Sequence, residues 1–168
     1  RYNSMFASFK NLNRLLAWGH ARAIETLAAA LKAAHPHLTV HCLPCDLALE
    51  SDRAALPARC AGLGFTPDCL INNAGLGSQK HFLETPLATL QQMLEVNVVG
   101  TFLCAQAAAH DMIETGGGRI VNFSSHSGLL GSSGRAAYAA AKGGIIAMTR
   151  AMAVDLRSEE HTSELQSL

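Results

Sequence analysis

Apolar positions recur along this chain in two alternating rhythms. Between residues 20 and 34, HARAIETLAAALKAA, Ile24, Leu27 and Leu31 fall at helical spacing, and His35-Pro36 ends the helix they predict. Just upstream, Leu15 to Trp18 is a short apolar run that reads as a strand remnant. Residues 38–43, LTVHCL, predict a strand. Asp52 to Cys60 predicts a short helix, interrupted or ended near Pro57. Residues 68–72, DCLIN, predict a second strand, closed by Asn-Ala-Gly. Pro86 suits the first turn of a long helix, continuous or once broken, that runs to about Thr115 and stops at Gly116–Gly118. A third strand follows at 119–124, RIVNFS. Beyond a Gly/Ser loop, a last helix is expected from about Arg135 to Leu156.

Strands that alternate with helices, and that are apolar on both faces, predict an α/β fold with a parallel sheet covered on both sides. In such sheets ligands collect at the carboxyl ends of the strands. Small polar residues stand at those ends: Asp46 after the first predicted strand, Asn73-Ala74-Gly75 after the next, Ser124-Ser125 after the third.

Composition narrows the classes. The 168 residues suit one domain, and 49% hydrophobic against 15% charged residues allow a sizeable core. Thirteen basic and 13 acidic residues balance to +0, with no basic stripe, which argues against nucleic acid and anionic membranes as partners. No apolar run reaches the ~18–20 residues that span a bilayer. No apolar leader segment stands at the N-terminus, so a cytoplasmic protein is expected. The cysteines at 42, 45, 60, 69 and 104 form an odd set without disulfide-framework spacing. Cys42-Leu-Pro-Cys45 matches C-x-x-C but ends a predicted strand rather than opening a helix, which disfavours redox chemistry. His35, His37 and His41 lack a second ligand cluster at zinc spacing, so no metal is expected.

Tyr138 and Lys142 share one helical face at i and i+4 in YAAAK. A free phenol is a poor acid–base group at neutral pH. A nearby ammonium favours the phenolate and makes the proton exchangeable. Ser125 lies upstream across a glycine-rich loop, and its hydroxyl could bond a substrate carbonyl or alcohol oxygen. Small residues around the pair, from Ala136 to Gly144, leave room for a flat cofactor or a neighbouring helix. Taken singly, each piece is unremarkable: Y-x-x-x-K often marks a solvated helix face, Asn-Asn-Ala-Gly a turn, and Asn97 a helix-interior amide.

Together, NNAG at 72–75, Asn97 in VNVVG, IVNFSS at 120–125 and YAAAK at 138–142 resemble the short-chain dehydrogenase/reductase family over residues 15–156. The resemblance implies a doubly wound Rossmann sheet. It also implies hydride transfer between NAD(P)(H) and a small-molecule carbonyl or alcohol. Tyr138 would be the acid–base residue. Lys142 would assist it and bond the nicotinamide ribose. Ser125 would polarise the substrate oxygen, and Asn97 would hold a water linking the lysine to solvent. Asp46 and Leu47 would sit at the adenine edge, with Asn73, Ala74 and Gly75 beside the adenosine ribose. His20 and Arg22, in a stretch without an acid, tilt the cofactor expectation from NAD toward NADP. A homodimer or homotetramer is implied for the full-length protein.

Two parts of the family pattern are not in the sequence. No T-G-x-x-x-G-x-G turn is present, and residues 1–14, RYNSMFASFKNLNR, contain no glycine and remain unassigned. Such a turn would cradle the cofactor pyrophosphate at a helix N-terminus. The expected sheet therefore lacks its first strand and its last ones. Residues 157–167, RSEEHTSELQS, match the in-frame translation of a common sequencing adapter, so 157–168 is expected to be an artefactual tail. An incomplete oxidoreductase, inactive as written, is one reading; a non-catalytic Rossmann-like binding or assembly domain is the other.

Overall fold

The structure, a computed structural model, describes residues 24–165, with side chains up to residue 157. The run at Leu15–Trp18 and the residues His20 and Arg22 lie outside the described residues. The chain divides into two compact units, Arg1–Pro44 and Cys45–Leu168.

In the first unit, residues 24–34 form helix α1, as the apolar spacing predicts. Residues 38–43, expected to be a strand, are irregular. A strand exists only through ladder bonds to a neighbour. Among the described residues this segment has no such bonds.

The second unit carries the sheet. Helix α2 spans Glu50–Ala61 and runs straight through Pro57, where a break was expected. Pro57 removes one N–H from the ladder, but acidic Glu50 and Asp52 in the first turn and Arg59 in the last suit the helix dipole. Strand β1 (Cys69–Asn72) pairs in parallel with β2 (Arg119–Asn122), and Asn72 faces Asn122 across the ladder. Between them lie a 3-10 turn at Phe82–Glu84, helix α3 (Leu87–Leu94), a π-helical turn at Glu95–Val99, and helix α4 (Gly100–Glu114). Pro86 is the N-cap of α3 rather than its first residue. The break allowed for in the long helix is this π turn, and Asn97 sits in it.

Short helix α5 (His126–Leu130) follows β2, and α6 runs from Ala136 to Leu165. It continues past the expected end at Leu156. No glycine or proline follows Gly144 to stop it. Ala137, Ala141 and Ile145, four residues apart, form its buried stripe. Ala137 and Ala141 pack with Met93, and Leu90, Val98 and Tyr138 close around them. Ala105, Ala108 and Met112 do the same for α4. Ile71 and Val121 remain 61% and 46% exposed, so one sheet face has no cover among the described residues. No described helix is long and apolar enough to cross a membrane.

Candidate active site

The polar ends of β1 and β2 converge on the start of α6. Asn72 Nδ2 donates to Asn122 Oδ1 at 2.9 Å and to the Thr101 carbonyl at 3.4 Å. Asn122 Nδ2 donates to Thr149 Oγ1 at 3.0 Å, and that hydroxyl donates to the Ile145 carbonyl at 2.7 Å. This chain of bonds ties α4, both strands and α6 together at the level of the site. Sequence reading missed it, because an asparagine at a strand end reads first as a turn residue.

Beyond β2 the chain is fastened to α6. Ser124 Oγ donates to the Lys142 carbonyl at 2.7 Å. Ser125 caps α5, its Oγ accepting from the Ser127 N–H at 3.3 Å. The Ser124 hydroxyl hydrogen is thus committed, whereas that of Ser125 has no acceptor among the described residues. Gly128 lies directly on α6: a Cβ there would stand 2.7 Å from both Lys142 C and Gly143 N.

Lys142 is 5% exposed, and its Nζ donates to the Phe123 carbonyl at 2.8 Å. That is its one acceptor among the described residues, so two ammonium N–H groups remain available. Its Nζ lies 6.0 Å from the Tyr138 ring centroid. The guanidinium of Arg135, which sequence reading did not single out, lies 5.6 Å from the same ring.

Asn97 is fully buried. Its Oδ1 accepts from the Leu76 N–H at 2.8 Å and its Nδ2 donates to the Leu76 carbonyl at 3.0 Å. Both ends of the amide therefore hold the loop after β1. Gly75 comes so close that a Cβ would stand 2.6 Å from Asn97 Oδ1 and 3.5 Å from Lys142 Nζ. The structure thus brings Gly75, Asn97 and Lys142 together. Replacing Asn97 with leucine is expected to destabilise the protein by about 2–5 kcal/mol, because the Leu76 N–H and C=O both lose a partner. Aspartate should recover only the bond to the N–H. Chemical denaturation of the three forms checks this order.

Asn73 and Ala74 sit exposed on the same loop. Asp46 stands in the turn before α2. Its Oδ1 accepts from the Ala48 N–H at 2.9 Å, and its own N–H donates to Asp52 Oδ2 at 2.8 Å. Arg53, another residue the sequence did not flag, fixes this corner. It bonds the Leu47 carbonyl and pairs with Glu95 at 2.7 Å, while its buried Nε has no partner.

Burial, then Asp52, pushes the Cys45 thiol up, and burial, then Cys45, does the same to Cys104. The His35 and His37 rings meet edge to face, with centroids 5.9 Å apart. Among the described residues no group of three or more His, Cys, Asp or Glu could hold a metal ion.

A sequence model of the short chain dehydrogenase family matches residues 10–161. A 3-oxoacyl-[acyl-carrier-protein] reductase of Synechocystis sp. is 38% identical over 91 residues, 54% of this chain and 37% of that protein. An inactive 2-(S)-hydroxypropyl-CoM dehydrogenase 2 of Xanthobacter autotrophicus is 42% identical over 109 residues, 62% of this chain and 47% of that protein. The crystal structure of an NAD+-bound xylitol dehydrogenase superposes with a TM-score of 0.72 at 31% identity, covering 82% of this chain and 52% of that one. The chain spans about half the length, or less, of these relatives. Its sheet and helices are part of a Rossmann-like domain, and the chain belongs to the short chain dehydrogenase family.

Proposed function

We propose that this chain is the acid–base portion of an oxidoreductase that moves a hydride between NAD(P)(H) and a carbonyl or alcohol substrate. One observation carries the proposal. The Ser124–Lys142 bond and the Gly128 contact press the loop bearing Ser125 against the helix turn bearing Lys142, with the Tyr138 ring 6.0 Å from the ammonium.

The roles follow from the donors that remain. In the reductive direction Tyr138 gives its hydroxyl proton to the substrate oxygen, and Ser125 donates a hydrogen bond to the same oxygen. Lys142 supplies a fixed positive charge that complements the negative charge left on the tyrosine oxygen. Oxidation runs the same steps backward. Asn97 acts by holding the loop that carries Gly75 beside Lys142.

The residues fit a nicotinamide cofactor. Lys142 keeps two N–H groups for ribose hydroxyls. Gly75, without a side chain, lets the loop approach Lys142 closely, and Asn73 and Ala74 stand exposed on that loop. At the other end the Asp46 carboxylate, one oxygen of which bonds only Ala48, and Leu47 suit an adenine. When bound, the cofactor supplies or accepts the hydride. His20 and Arg22 favour NADP over NAD, and the setting is the cytoplasm.

Residues 1–168 alone are proposed to be inactive. The sequence has no glycine-rich turn for the pyrophosphate, and the described sheet has two strands. The second reading, a non-catalytic domain, draws support from the relative described as inactive. Assays of NADH and NADPH oxidation by the full-length protein with a carbonyl panel separate the two. Turnover is expected from the full-length protein. Calorimetry on residues 1–168 should find no micromolar dinucleotide binding. Tight binding there would refute the inactivity, and a cofactor-binding full-length protein without turnover would favour the second reading.

A further inference from the structure

Arg135 stands at the mouth of α6, one turn before Tyr138, and its guanidinium packs on the tyrosine ring at 5.6 Å. Its backbone is fixed: its N–H donates to Ser132 O at 3.2 Å, and its carbonyl accepts from Ala139 N–H at 2.7 Å. The contact is a cation–π one, and no acceptor among the described residues takes the guanidinium N–H donors. No carboxylate among the described residues pairs with them. From Thr115 to Val154 the only charged side chains are Arg119, Arg135, Lys142 and Arg150, so this stretch of the site contains no acid of its own.

We propose that Arg135 is a specificity-determining residue that selects substrates bearing a carboxylate one or two carbons from the reacting carbon. The inference rests on the reading of Tyr138 as the acid–base residue. A substrate oxygen that reaches the Tyr138 hydroxyl brings its neighbouring substituents within range of a group held over that same ring. A planar, bidentate donor fork held there matches a carboxylate and offers a neutral substituent much less. A cationic substituent would be repelled by Arg135 and Lys142 together. The class is therefore hydroxy acids and oxo acids rather than simple alcohols and ketones.

The test compares 3-hydroxybutyrate with its neutral counterpart 3-hydroxybutyramide in the full-length protein. With NAD+ or NADP+, kcat/KM is expected to favour the acid. The acid-to-amide ratio should fall about 10- to 100-fold in Arg135→Met and less in Arg135→Lys. Calorimetric titration of the same two compounds should show the same Arg135-dependent preference without any need for turnover. If binding discriminates and no hydride is transferred, the carboxylate site stands and the oxidoreductase reading falls. Equal use of acid and amide overturns the proposal. So does an equal loss for both in Arg135→Met, or binding of neither compound.

Discussion

Replacing Tyr138 with phenylalanine in the full-length protein is expected to lower kcat by about 10²–10⁴-fold, the usual worth of a positioned proton donor. The change removes one oxygen and keeps the ring. The ring packs against the Met93, Ala137 and Ala141 cluster and lies near Arg135 and Lys142, so the fold around it should persist. Cofactor affinity should weaken by a few-fold at most, through loss of one hydroxyl among several polar contacts. The split between kcat and binding is the informative result. A packing role would show as a lower melting temperature with turnover retained, and unchanged turnover in the phenylalanine form would remove Tyr138 from the mechanism.

Replacing Gly128 with valine should do comparable damage by a different route. A Cβ at this position meets Lys142 C and Gly143 N at 2.7 Å and Lys142 Cβ at 3.0 Å. The first two are backbone atoms of a long helix and have little freedom to move aside. The loop from Ser124 to Leu130 must lift instead, which breaks the Ser124–Lys142 bond and shifts Ser125 away from α6. The expected cost is about 1–3 kcal/mol or more of stability, as for overpacking elsewhere. Turnover should fall further than stability explains, because a displaced group of about 1 Å costs roughly 10²-fold. Denaturation and kinetics on the same preparation separate the two effects. Gly128→Ala should be milder in both, and a valine form with native stability and rate would show that the crossing is not close in solution.

How much of this was legible in the sequence varied by element. Where apolar spacing was regular and bounded by breakers, the reading was good. The end of helix α1, the strands at 69–72 and 119–122, and the start of α6 all fall within a residue or two of expectation. Pro57 was weighed too heavily, since one missing N–H does not end a helix whose other turns are bonded. Residues 38–43 carried strand composition, but pairing is a property of a neighbour and is not encoded in the segment itself. Asn97 was chosen from its place in a pattern, and its bidentate grip on Leu76 could not be foreseen at a separation of 21 residues. Arg53 and Arg135 were passed over because a basic residue on a helix usually means solvent. Their significance lies in what they meet, Leu47 and Glu95 in one case and the Tyr138 ring in the other.

The facing amides of Asn72 and Asn122 also say something about how the strands find each other. If β1 slid along β2 by a single residue, each amide would swing to the opposite side of the sheet from its partner. Asn72 would then lose both the Asn122 oxygen and the Thr101 carbonyl, and Asn122 Oδ1 would lose its donor. Two short runs of similar aliphatic composition could otherwise align in several ways at little difference in energy. The amide pair makes one alignment cheaper than the rest, so it works as a locating pin during folding, before any ligand is present.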